Sequence, residues 1–270
     1  MEKRLYDGLT EVLFSVAEVD GGLEAEQLTG FASMRGCHSR NGLMVVGRSV
    51  NGWLDGWNAV ELRDEQKRQN VIQDIVARCE PPDSDGRCPM AWVTDQWGDE
   101  RQYNTARSAF WRCIERVSRG IGIVQDGVPD WSSYLVWTNL YKVSPCEGGN
   151  PPPRLMEAQH TACRKLLHSE IEASDVQAIL FLTGLDWAYS FLPEMTDIRF
   201  AGAFTSYVAL SGWVHRLGRT PVPLVVASHP QGKREDAWTG EVREAFRRLR
   251  REHRDLTEEL YGTEQQLTAG

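Results

Sequence analysis

Four short, unbroken apolar runs limit what this chain can fold into. They are Leu43-Met44-Val45-Val46, Leu135-Val136-Trp137, Ala178-Ile179-Leu180-Phe181-Leu182 and Leu224-Val225-Val226-Ala227. None alternates apolar with polar, so each predicts a strand covered on both faces. Helix-length segments separate them. Leu5, Leu9, Val12, Leu13 and Val16 predict a helix over 4–18, closed by Gly21-Gly22. A second helix is expected over 58–78. A third, over 104–119, carries Ala106, Phe110, Cys113, Ile114 and Val117 on one face. A fourth follows the prolines at 151–153, with Met156, His160, Cys163, Leu167 and Ile171 on its face. Trp238, Val242, Phe246, Leu249, His253, Leu256 and Leu260 predict a long closing helix with one apolar stripe. The segment "FTSYVALSGWVHRL" fits helix or strand. Buried strands alternating with helices predict an α/β fold, a central four-stranded parallel sheet with helices on both faces. No internal repeat or linker divides the chain. One domain over 1–270 is expected, with an insert at about 58–132 between the first and second core strands.

Composition narrows the partners. The 270 residues carry a net charge of −8, which argues against a protein that coats nucleic acid non-specifically but leaves room for a local basic groove. No run of about 18 apolar residues is present and the N-terminus lacks a signal-peptide core, so a soluble, cytoplasmic monomer with no membrane partner is expected. Six scattered cysteines without a CxxC pair predict reduced thiols.

In such sheets ligands sit beyond the carboxyl ends of the strands, and the unusual residues gather there. After the first strand comes "GRSVNGWLDGW", residues 47–57. Its glycines, Gly47 first, allow close backbone approach. Arg48, Ser49, Asn51 and Asp55 are polar, and Trp53 and Trp57 offer flat faces. The second strand ends at Asn139, whose amide both donates and accepts, the pattern that reads a base edge. The last strand ends in Ser228-His229-Pro230. A histidine there can donate to a developing anion or move a proton. Lys233 and Arg234 follow, suited to phosphate.

This ordered set resembles the uracil-DNA glycosylase superfamily over residues 41–52 and 134–250. "GRSVNG" stands where that family has its water-activating loop, "LVWTNLYKVSP" puts Asn139 where a base-reading asparagine lies, "ILFLTG" ends its strand in glycine as the third strand does, and "VVASHPQGK" ends in His-Pro. The resemblance implies a DNA glycosylase that hydrolyses the N-glycosidic bond of a damaged or modified pyrimidine flipped out of DNA. His229 stabilises the departing base, Asn139 reads its edge, Trp53 or Trp57 stacks on it, and Asn51, Asp55 or Asn139 orients water. Gly47, Arg48 and Ser49 line the substrate, and Lys233, Arg234 and Lys142 contact DNA. The chain departs from the family where Arg48, Ser49 and Val50 replace the usual acid or asparagine. Asn51 replaces the tyrosine that excludes pyrimidines substituted at carbon five, which implies a bulkier base, hydroxymethylated or glucosylated as in phage DNA, and a role in antiviral defence or in base excision repair. Cys146 and Cys163 only loosely echo the ligands of the family's iron–sulfur branch, and no cofactor or metal is expected. Two alternatives fit parts of the pattern. One is an SGNH-type serine esterase using Ser49 and His229, although Val226 stands where its orienting aspartate belongs. The other is a non-catalytic nucleic-acid-binding member of the fold.

Overall fold

A computed structural model of the chain describes residues 2–19, 26–52, 56–80, 86–193, 196–199, 206–216 and 218–267, with backbone alone for 196–199 and 254–267. In chain order the elements are α1 (Lys3–Ala17), β1 (Leu28–Gly30), β2 (Met34–Arg35), β3 (Leu43–Gly47), α2 (Glu65–Cys79), α3 (Ala91–Asp95), α4 (Ala109–Gly120), β4 (Leu135–Asn139), β5 (Val143–Pro145), α5 (Pro153–Ala173), β6 (Ala178–Phe181), α6 (Leu185–Ala188), β7 (Thr196–Arg199), β8 (Val208–Val214), β9 (Val222–Ala227) and α7 (Glu235–Leu267).

The fold is α/β, and its sheet is larger than the four-stranded parallel sheet expected. Seven strands run in the order β2-β4-β3-β6-β9-β8-β7, and the sheet is mixed. The four apolar runs are β3, β4, β6 and β9, which lie side by side and parallel. Antiparallel β2 extends one side, and β8 and β7 extend the other. The segment that fitted helix or strand is β8. Its Ser211 and Gly212 interrupt the apolar run, and its cross-strand partner β9 decides the matter. β2 has two residues, too few for a periodic signal. A separate ribbon pairs β1 with β5.

Strand order positions the ligand end. From β3 the chain moves to one side to form β4, and from β6 it moves to the other to reach β9. The connections therefore diverge between β3 and β6 and leave a crevice beyond their carboxyl ends. Helices cover the sheet. α1 packs on α5 and α2, while α4 packs on α7, which also lies on β8 and β9. The apolar stripe of α1 is buried as its spacing predicts. The helix expected over 58–78 is divided. A 3-10 turn, Ala59–Arg63, ends at Asp64, whose side chain accepts the Lys67 N–H at 2.9 Å and caps α2. Similarly, the third expected helix starts as a 3-10 turn, Thr105–Arg107, before α4. The closing Gly21-Gly22 lies outside the described residues. Among the described residues no helix is long and apolar enough to cross a membrane.

Candidate functional site

β3 and β4 end in register, Gly47 opposite Asn139. Their pairing continues past the strands: Leu140 N–H donates to Gly47 O at 2.9 Å and Tyr141 N–H to Arg48 O at 3.0 Å. Asn139 is 1% exposed. Its Nδ2 is buried and, among the described residues, has no hydrogen-bond partner. An unpaired buried amide costs roughly 1–3 kcal/mol, so such a donor calls for an explanation such as a ligand acceptor. The glycine beside it leaves the space the amide occupies. A Cβ on Gly47 would stand 2.3 Å from Asn139 Oδ1. Gly47→Ala should therefore rotate the Asn139 amide away while the strand persists. The expected result is a loss of ligand binding or turnover with a folded protein by circular dichroism. Full activity in Gly47→Ala would show that the Asn139 orientation is immaterial.

β9 delivers His229. The strand's exit is pinned by Ser228 N–H donating to Tyr207 O and by Trp238 Nε1–H donating to Ser228 O, both at 2.8 Å. His229 Nδ1 accepts the Gln231 N–H at 3.2 Å. A neutral ring that accepts at Nδ1 carries its proton on Nε2. The ring of Phe110, from the first turn of α4, stacks on the imidazole with centroids 6.0 Å apart and planes 23° apart. The same phenyl lies 3.8 Å from the Cβ position of Gly47. Burial, and then the nearby Arg48 cation, hold the His229 pKa below its ordinary 6.5. A histidine whose folded pKa is depressed favours the folded state above the unfolded pKa and loses that contribution as pH falls through the folded value. The stability gap between wild type and His229→Gln should therefore shift against wild type as pH is lowered from 7 to 5, read by urea melts. A pH-independent gap would mean that His229 titrates normally.

Arg48 occupies the crevice between β3 and β6. Its Nε donates to Thr183 O at 2.8 Å and its guanidinium lies 5.0 Å over the Trp187 ring. Burial lowers its pKa, and the Asp186 carboxylate acts in the opposite direction. At the exit of β6, Gly184 has φ 81° and its N–H donates to Ala227 O at 2.8 Å. This left-handed turn ties β6 to β9 and starts α6.

Of the residues singled out in the sequence, Gly47, Arg48, Asn139 and His229 meet at this end of the sheet. Ser49 is half-buried in the same loop. Asn51 is exposed, and its Oδ1 accepts the Gly149 N–H at 2.6 Å, joining two loops. Trp53 and Asp55 lie outside the described residues. Lys233 and Arg234 are exposed just before α7.

Two expectations are corrected. Trp57 is no stacking platform: it is 7% exposed, packed in the core, with its ring beside the Gly30 Cα and its backbone bridged to Leu28. Lys142 cannot reach a phosphate, because it is 0% exposed. Its Nζ donates to Glu170 Oε2 at 2.7 Å, Thr138 Oγ1 at 2.6 Å and Asn139 O at 2.8 Å.

Three residues of the site were missed. Phe110 reads in the sequence as part of the apolar face of its helix, and its spacing cannot reveal that the first turn of α4 reaches the strand ends. Trp187 and Asp186 follow the Gly184 turn, where the strand-ending glycine was the available signal. No protein-family model matches the chain, and no curated protein matches it.

Proposed function

We propose that this chain is a DNA glycosylase acting on a modified pyrimidine. One observation carries the reading: the buried Nδ2 of Asn139, without a hydrogen-bond partner among the described residues, at the carboxyl end of the parallel strands. Around it the site is rich in donors. His229 offers Nε2–H and Arg48 a half-buried cation. Such a set suits an anion that forms during reaction. In base release the bond between the base nitrogen and C1′ of deoxyribose breaks, and the electron pair leaves with the base. Nε2–H and the Arg48 charge would stabilise that anion, Asn139 would accept and donate along the base edge, and water would add its oxygen to C1′ and give up a proton that ends on the released base. Extrusion of the base brings it within reach of these groups. Asp186, exposed on α6 and close enough to act on Arg48, is the carboxylate this reading adds for orienting water, beside Asn51, Asp55 and Asn139.

The histidine tautomer weighs against the serine esterase. In a Ser–His pair Nε2 must accept the serine proton while Nδ1–H is oriented by a third group. Here Nδ1 is the acceptor.

The test is formation of alkali-labile sites in DNA carrying modified pyrimidines. Asn139→Ala should lose roughly 1–3 kcal/mol of base discrimination, and turnover with it. Equal turnover per folded molecule in wild type and Asn139→Ala would remove the residue from the site. Tight DNA binding without abasic sites would favour the non-catalytic reading.

A further inference from the structure

A second cleft, about 400 Å³, lies at the opposite end of the sheet, beside the amino ends of β6 and β9. It is bounded by the Arg40-Asn41 loop, the 175–177 segment entering β6, β8 with the loop into β9, and α7. Its charge is one-sided. Among the described residues, Arg40, Arg216 and Arg250 line it against one carboxylate, Asp175, which is already paired with Arg219 at 3.1 Å. This is a concentration of positive charge on a chain whose net charge is −8.

Arg216 is 9% exposed. Its two terminal nitrogens donate to Ser174 O and Val176 O, and its Nε is buried with no partner among the described residues. Burial and the neighbouring Arg219 disfavour the Arg216 cation, the Glu172 and Asp175 carboxylates act the other way, and an anion in the cleft would add to their effect. Arg250 donates one N–H to Ile121 O at 2.6 Å. A guanidinium has five donors, so both arginines keep hydrogen-bonding capacity after these bonds. Two aromatic rings also line the cleft. Trp213 of β8 and His253 of α7 lie with centroids 5.0 Å apart and planes 43° apart. Arg250 and His253 are three residues apart on α7, on one helix face.

We propose that this cleft binds a mononucleotide, with the arginines on its phosphate and the Trp213 and His253 rings on its base. Guanidinium groups suit phosphate in geometry as well as charge, and a base stacks on an aromatic face whatever its identity. The volume falls in the range of small-molecule sites, roughly 300–1,000 Å³. The site is separate from the one at the carboxyl ends and does not depend on what that one does.

The experiment is titration calorimetry of the full chain with adenosine, cytidine and uridine 5′-monophosphates, inorganic phosphate, and a short single-stranded oligonucleotide. At least one monophosphate should bind. Arg40→Ala, a surface change that leaves the core untouched, should weaken it about fivefold or more. Trp213→Leu should weaken the nucleotide about tenfold and leave inorganic phosphate unchanged. Binding in His229→Ala should equal wild type, which separates this site from the other. The proposal is overturned if no monophosphate binds at millimolar concentration. It is also overturned if only the oligonucleotide binds, or if nucleotide binding survives both cleft substitutions.

Discussion

Replacing Lys142 with alanine should destabilise the protein by roughly 3–5 kcal/mol, because it strands a buried carboxylate. Lys142 and Glu170 are 0% and 1% exposed. The pair is fully satisfied. Lys142 Nζ reaches Glu170, Thr138 and the Asn139 carbonyl, Thr138 Oγ1 donates to Glu170 Oε2 at 2.7 Å, and Ser33 N–H donates to Oε1 at 3.1 Å. Removing the ammonium leaves the carboxylate with two donors and no countercharge. Replacing both partners with methionine removes the charges together and should recover much of the loss. Urea denaturation of the single and double variants checks this. A loss under about 1 kcal/mol in Lys142→Ala would show that Glu170 finds another partner or a proton at little cost. The network also reaches function, since it grips the backbone of the residue whose side chain carries the proposed base contact.

His229→Ala should slow base release by about a hundredfold to a thousandfold, the range for loss of one donor to a developing anion. The fold should survive. His229 is half-buried, its side chain is bonded to a local N–H, and the pinned exit of β9 depends on Ser228, Tyr207 and Trp238. Single-turnover rates at saturating enzyme separate this from weaker DNA binding. Wild-type rates in His229→Ala would remove the imidazole from the reaction.

Much of this architecture could be read from the chain because buried parallel strands leave a plain trace. Runs such as "LMVV" and "LVVA" need no partner information, and the residue that ends each run marks the ligand end of the sheet. Gly47 and Asn139 end their strands and His229 stands two residues past the end of β9. Features set by distant partners leave no such trace. β8 needed β9 to decide between helix and strand. Lys142 reads as a surface cation until Glu170, 28 residues further on, comes to face it. Trp57 sits in a loop of polar and glycine residues, yet its backbone pairs with Leu28, which turns the indole inward. Phe110 fits the apolar face of α4, and only the placement of that helix over the strand ends brings its ring to His229.

The central claim is base release, and mass spectrometry of the bases freed from DNA tests it most directly. The panel is DNA containing uracil, 5-hydroxymethylated or glucosylated pyrimidines, or unmodified bases. The preferred product proposed from the resemblance, in which Asn51 stands where a blocking tyrosine would be, is a bulky substituted pyrimidine. The account predicts one free modified base with wild type, and its loss with His229→Ala and Asn139→Ala of equal folded fraction. No free base from any DNA in the panel, or the same yield from wild type and both variants, would contradict it.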